Sequence, residues 1–258
     1  MNNFSHQPLA FSLSKQGFTL LELLVTLLII SILAGALVPA IGAARELARS
    51  TACKSNLRQM IIAAHAYASE NDDEFPPAYA RNYAKQTTTT WEDFLWNFDS
   101  RSATSQKVHQ CPSFKGSAMW TGDRYTGYNY NSSYIGGERH IINGVVNPAS
   151  TRSAALYDIK DPGRCAVFGD GEYASGANKF MRSPFPGPLD AGAGTALAGT
   201  QGFRHRGATH VAFADASVQS LKTRHTTTVT DRKNPANSPT PAKNCGFLSV
   251  DNSLYNLE

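Results

Sequence analysis

The sequence predicts an α+β fold in which one long N-terminal helix packs on a small, mostly antiparallel β-sheet domain. Three observations predict it. An apolar run fills residues 18–44, a helical stripe of apolar residues continues to about residue 69, and beyond Pro77 short strand-like segments alternate with turn residues. The 258 residues suffice for an anchor and one sizeable domain. With 41% hydrophobic and 17% charged residues, most of the chain is expected to fold. A net charge of +4, spread without a Lys/Arg cluster or interleaved aromatics, argues against nucleic acid as a partner.

The run from Phe18 to Ala44 contains a single charge, Glu22. It exceeds the roughly 20 residues that a helix needs to span a bilayer, so a single-pass membrane protein is expected. A removable secretory signal carries its small-residue cleavage site after a shorter apolar stretch. Here the small residue comes before it, in Lys15-Gln16-Gly17, and cleavage after Gly17 would keep the membrane helix in the product.

Lys15, Gln16, Gly17, Phe18, Thr19, Leu20, Leu21 and Glu22 resemble the type IV prepilin signature, a basic residue and Gly followed by F-T-L-x-E. The resemblance implies a leader over residues 1–17, cleavage between Gly17 and Phe18 by prepilin peptidase, and N-methylation of Phe18 by the same enzyme. Counted from Phe18, Glu22 is the fifth residue and Pro39 the twenty-second, both at pilin offsets. A carboxylate in a membrane helix costs about 2.5–3.5 kcal/mol on insertion scales, and cleavage creates a partner for it, the Phe18 amine. In pilin-like fibres the equivalent pairing joins neighbouring subunits, which makes other pilin-like subunits the expected partners. The plainer reading is a carboxylate reaching the headgroups from near the helix end. Pro39 lacks an amide hydrogen and frees the carbonyl of Gly35, so a kink or melted turn is expected there.

Arg45, Arg49, Lys54 and Arg58 follow the membrane run, whereas the leader carries only Lys15 and the terminal amine. Charge counting alone would leave the C-terminal domain in the cytoplasm. The signature implies the opposite: a bacterial inner-membrane protein with a periplasmic or extracellular domain.

Cys53, Leu57, Met60, Ile61, Ala64, Tyr67 and Ala68 share one helical face. Asn71-Asp72-Asp73-Glu74 and Pro76-Pro77 should stop the helix. From Phe18 to about Ser69 it would be about 78 Å long at 1.5 Å per residue, the lollipop layout of pilins. The expected divisions are thus a leader (1–17), a transmembrane helix (18–44), its continuation within residues 45–75, and a domain over 76–258. Within the domain, residues 91–96 read as a short amphipathic helix. Residues 125–137 read as turns and short strands, and 165–170 as a buried strand ending at a turn. A surface loop is expected over 173–202, a hairpin over 210–221, and a mobile segment over 223–244.

His205 and Asp215 enclose nine residues in HRGATHVAFADAS. This resembles the H-X9-DG motif of pilin-like proteins with a DUF1559-type domain, which also tend to carry stretches like Cys53-Lys54-Ser55-Asn56-Leu57-Arg58-Gln59 and Cys111-Pro112-Ser113. Ala216 stands where that motif has Gly. Ala costs more than Gly at positive φ, so a different turn with a bulge is expected. The plain role for Asp215 is to accept turn amides, with His205 packed nearby. The sharper role is a metal site drawn from His205, His210, Asp170, Glu172 and Asp215, for which the resemblance to pseudopilins suggests calcium. Otherwise no cofactor is expected.

Cys53, Cys111, Cys165 and Cys245 form no CxxC pair, which argues against structural zinc. Outside the cytoplasm one or two disulfides become possible; the alternative is buried thiols. No nucleophile elbow, HExxH, P-loop or dinucleotide fingerprint is present, and a paired-carboxylate site from Asp170, Glu172 and Asp215 has no supporting spacing. The expected role is therefore not enzymatic. It is a pseudopilin or minor pilin of a type II secretion or type IV pilus-like system. The competing role is a membrane-tethered extracytoplasmic binding module that uses the pilin leader only for processing and anchoring. The aromatic, Asn- and Gly-rich stretch 125–137 would suit glycan or protein contacts and reads equally as core and turns.

Overall fold

The computed structural model describes residues 17–95, 108–118, 127–172, 176–185, 187–189, 200–226 and 244–258. Lys15 and the rest of the expected leader up to residue 16 lie outside this set, as do residues 227–243 of the expected 223–244 segment and residues 173–175, 186 and 190–199 of the expected 173–202 loop. The chain divides into two compact units, Met1–Arg45 and Glu46–Glu258.

Helix α1, Leu20–Glu70, contributes to both units. Within the first unit its apolar side chains, among them Leu20, Leu24, Leu28, Ile32 and Val38, are exposed. Among the described residues α1 is the one helix long and apolar enough to cross a membrane. The melted turn expected at Pro39 is absent, and the helix continues through it. Proline's fixed φ is itself helical, and the absence of a side chain on Gly35 relieves crowding one turn earlier.

In the second unit α1 buries Cys53, Leu57, Met60, Ile61, Ala64 and Ala68, while Tyr67 is half-buried and meets Phe94 edge-on at 6.2 Å. The helix ends at Glu70, within a residue of the expected Ser69. Asp72 and Asp73 turn left-handed at φ 54° and 60°, and the Asp73 amide closes on the Ala68 carbonyl at 2.9 Å. Aspartate tolerates that conformation better than most side chains, so the acidic run acts as a stop.

Strands β1 (Tyr79–Asn82), β2 (Thr87–Thr90), β4 (Glu138–Ile142) and β5 (Val145–Val146) form one sheet in the order β2-β1-β4-β5. The short helix α2, Trp91–Leu95, follows β2. The larger sheet runs β10-β9-β6-β3-β7, from Val218–Leu221, Thr209–Phe213, Ala166–Glu172, Tyr128–Asn131 and Phe180–Met181, with β8 (Thr200–Gly202) pairing β6 and β11 (Cys245–Gly246). Strand pairs are antiparallel except β1 with β4 and β3 with β7. The architecture is α+β, with the mostly antiparallel sheets the sequence predicts.

Strand β6 does not end at Asp170 but continues to Glu172. Its glycines permit this: a Cβ on Gly169 would lie 2.3 Å from Gln201 Oε1, and one on Gly171 2.1 Å from the Asn178 carbonyl. Every residue of β9 is buried, because the sheet is covered on both faces. Ala212 and Ala214 join the core beneath α1 with Trp91, Tyr130 and Phe168. Val211 and Phe213 join Met181, Phe247, Leu248 and Tyr255 on the other side. Tyr130 stacks on Phe168 at 5.0 Å, and Trp91 lies 5.2 Å from the same ring. Fully burying one such side chain contributes about 1.5–3 kcal/mol, so these two layers hold the domain together.

Candidate functional site

The expected cleavage site lies just ahead of α1. Gly17 has nothing within 4 Å of its Cβ position, and Phe18 is 86% exposed. Thr19 caps the helix: its hydroxyl accepts the Glu22 amide at 3.2 Å, and Glu22 Oε2 accepts both the Thr19 amide and hydroxyl at 2.9 Å. This reciprocal arrangement is a capping box. Glu22 therefore helps start the helix, a role that the Thr-x-x-Glu spacing offered but that reading the charge alone passed over. No cationic side chain pairs with Glu22 among the described residues of its unit.

In the domain, four distant segments bring polar groups to one buried point. Asp170 comes from the middle of β6, and Cys53 from the buried face of α1. Cys111 opens the Cys-Pro-Ser turn. Arg204 and His205 lead into a tight turn whose Arg206 and Gly207 both have positive φ, 55° and 80°, and His205 and Ala208 exchange backbone bonds at 3.0 and 3.1 Å. Cys53 Sγ and Cys111 Sγ are 2.7 Å apart, and Cys111 Sγ is 3.7 Å from His205 Nε2. That nitrogen lies 3.4 Å from Asp170 Oδ2. Arg204 pairs with Asp170 at 3.2 Å and Glu172 at 3.3 Å, and its Nε donates to Cys111 Sγ at 3.4 Å.

Electrostatics follow from this geometry. Burial opposes ionisation of Asp170, but the Arg204 charge and the His205 contact outweigh it and hold its carboxyl below the usual range. Burial also opposes Cys111 ionisation, yet hydrogen bonds from Cys53 and His205 with the Arg204 charge lower its thiol. The Cys53 thiol is pushed up, first by its bond to Cys111 and then by burial. His210 is lowered to about 4 by burial.

The expected metal set is only partly assembled. His205 and Asp170 meet. His210 stacks on His205 at 4.2 Å, but its ring nitrogens are taken by Ser50 at 2.8 Å and Ser220 at 3.0 Å. Glu172 pairs with Arg204. Asp215 lies beyond the far end of β9, where it accepts the Ser217 amide at 2.8 Å. The nine-residue spacing of the motif thus measures one strand and its flanking turns, and does not bring its two ends together. Ala216 adopts φ 65° with its amide on the Phe213 carbonyl at 3.0 Å, a three-residue hairpin turn with a bulge. The four cysteines are buried thiols rather than disulfides. Cys165 Sγ lies 3.7 Å from the Tyr255 carbonyl, and burial raises its thiol to about 12.

Two family models match the chain. The prokaryotic N-terminal methylation motif matches residues 13–38, which include Lys15, Gly17, Phe18 and Glu22. The chain carries a prepilin-type processing motif. A protein of unknown function, DUF1559, matches residues 42–118, which include Cys53 and Cys111 and stop short of His205. No curated protein and no solved structure matches. The motif indicates a pilin-like nature and implies cleavage by a prepilin peptidase and membrane association, and the apolar half of α1 follows the expected cleavage site directly.

Proposed function

We propose that this prepilin-type protein is a pseudopilin or minor pilin. It sits in the inner membrane with its domain on the outer side, and assembles through its N-terminal helix in a type II secretion or type IV pilus-like system. One observation carries this reading. Glu22 is the single charge in an exposed apolar helix face, and it lies four residues beyond the amine that cleavage creates. An apolar surface of that kind suits lipid and neighbouring helices alike, whereas a carboxylate in it calls for a cation. The amine of a neighbouring subunit is suitably placed to supply one and so to set the axial register of a helix bundle.

The competing reading is the tethered binding module. Tyr128 to Gly137 are buried apart from the half-buried Tyr134, so that stretch is interior rather than a contact surface. Mass and N-terminal sequencing of the chain extracted from native membranes tests processing, and a start at methylated Phe18 is expected. A start at Met1 overturns the reading. Correct processing with normal fibres from a Glu22→Leu chain would leave a tether as the better account.

A further inference from the structure

The point where Cys53, Cys111, Asp170 and His205 meet has more order than buried thiols need. One donor atom from each of the four lies within 4.8 Å of the others, and all four residues are buried. The surroundings are arranged as well. His205 Nε2 faces Cys111 and Asp170. Its Nδ1 is buried without a hydrogen-bond partner, with Glu46 Oε1 3.6 Å away, and Ser113 donates to that same oxygen at 3.3 Å. A carboxylate behind the outer nitrogen of an imidazole is the arrangement that orients metal-binding histidines.

We propose that Cys53, Cys111, His205 and Asp170 form a closed structural site for a borderline-soft divalent metal, zinc being the best fit. Two sulfurs, one nitrogen and one oxygen make a four-coordinate set of the zinc type. Calcium, which the pseudopilin resemblance suggested, takes six to eight oxygens, and this point offers one carboxylate. The charges balance: two thiolates and Asp170 against the metal and Arg204. Zn–S bonds of about 2.3 Å at tetrahedral angles place sulfurs about 3.8 Å apart, so Cys53 and Cys111 separate by about 1 Å on loading. Binding requires both sulfurs as thiolates and His205 Nε2 free of its proton, and whatever protons these atoms carry pass to solvent on loading. The metal would tie the domain portion of α1 to β6 and to the turn before β9. Sequence spacing hid the site because its ligands come from four segments instead of a CxxC pair.

The rival outcome is oxidation of the same sulfurs to a disulfide, with two electrons and two protons passing to an extracytoplasmic thiol oxidant. The test uses the full chain, extracted from membranes in detergent without chelator. Metal analysis and native mass spectrometry should find one zinc per chain with Cys53 and Cys111 reduced. Cobalt added to the metal-stripped, reduced protein should give a thiolate-to-cobalt band in the near ultraviolet and tetrahedral bands in the visible. Cys111→Ser and His205→Ala should lose these bands, Cys165→Ser should keep them, and Glu46→Gln should weaken affinity about 10–100-fold. The cobalt spectrum of the unmutated chain decides the matter even if a variant fails to fold. Absence of both zinc and cobalt bands overturns the proposal, as does a Cys53–Cys111 disulfide in peptides from the membrane-extracted chain.

Discussion

Two carboxylates in this molecule, one buried and one exposed, are accommodated in opposite ways. Glu92 sits in the domain core, where Lys179 forms an ion pair with it and the Thr90 hydroxyl donates to it at 2.6 Å. Glu22 sits on an exposed apolar helix, where its contacts are the amide and hydroxyl of Thr19. The domain carries its compensating charge within its own chain. The described residues of the apolar segment offer Glu22 no side-chain cation, and on the proposed reading a neighbouring subunit's amine supplies one. A folded domain can be complete in itself, while the proposed role makes the helix half of a contact. This difference separates a fold requirement from an assembly requirement.

The comparison can be broken from either side. Lys179→Met should be the most damaging domain change, because it leaves Glu92 buried without its cation. About 3–5 kcal/mol of stability should be lost, read as a fall in the urea midpoint of the detergent-solubilised chain. Adding Glu92→Leu should recover most of that loss. If the single and double variants are equally unstable, the pair matters for packing rather than charge.

Acidification should come next in size. Burial lowers His210 to about 4 and His109 to about 3, so both are kept neutral in the fold. Between about pH 6.5 and 4 the unfolded chain takes up protons that the fold refuses, so stability falls as pH falls. Asp170, depressed chiefly by Arg204 against its burial, adds to the same trend at the acidic end of this window. Thermal midpoints of the metal-free chain should drop between pH 7 and 5 by several degrees, and His210→Gln should flatten the drop. A midpoint independent of pH would contradict the burial argument.

A smaller effect of opposite sign is expected at the hairpin. Ala216 occupies a left-handed position at φ 65°, which costs a Cβ-bearing residue about 1–2 kcal/mol. Ala216→Gly should stabilise the domain by about 0.5–1 kcal/mol once glycine's extra unfolded-state freedom is counted. Destabilisation would mean that the methyl group's packing against the core outweighs the backbone strain.

The sequence exposed features written as periods and local spacings. The stripe from Cys53 to Ala68 was legible because one helical face recurs every 3.6 residues. The cap at Thr19 and Glu22 was available in a four-residue pattern. Strand β6 was read short because Gly169 and Gly171 look like a turn, when they are places where Gln201 and Asn178 approach the backbone. The Glu92–Lys179 pair spans 87 residues of sequence and left no local trace. The buried cluster lies between these cases. Cys53, Cys111 and His205 each stand in a recognisable stretch, yet only the packing of α1 against β6 and the turn before β9 shows that they meet. The pairing of His205 with Asp215, suggested by a shared motif, was the opposite case: spacing set by a strand and its turns, without contact.

The most direct test of the central claim is fibre yield from cells expressing wild-type or Glu22→Leu protein, with processing confirmed in the same samples. The account predicts that the variant is cleaved at Gly17–Phe18, remains in the membrane and yields no fibres. Wild-type fibre yield from a correctly processed Glu22→Leu chain would contradict it.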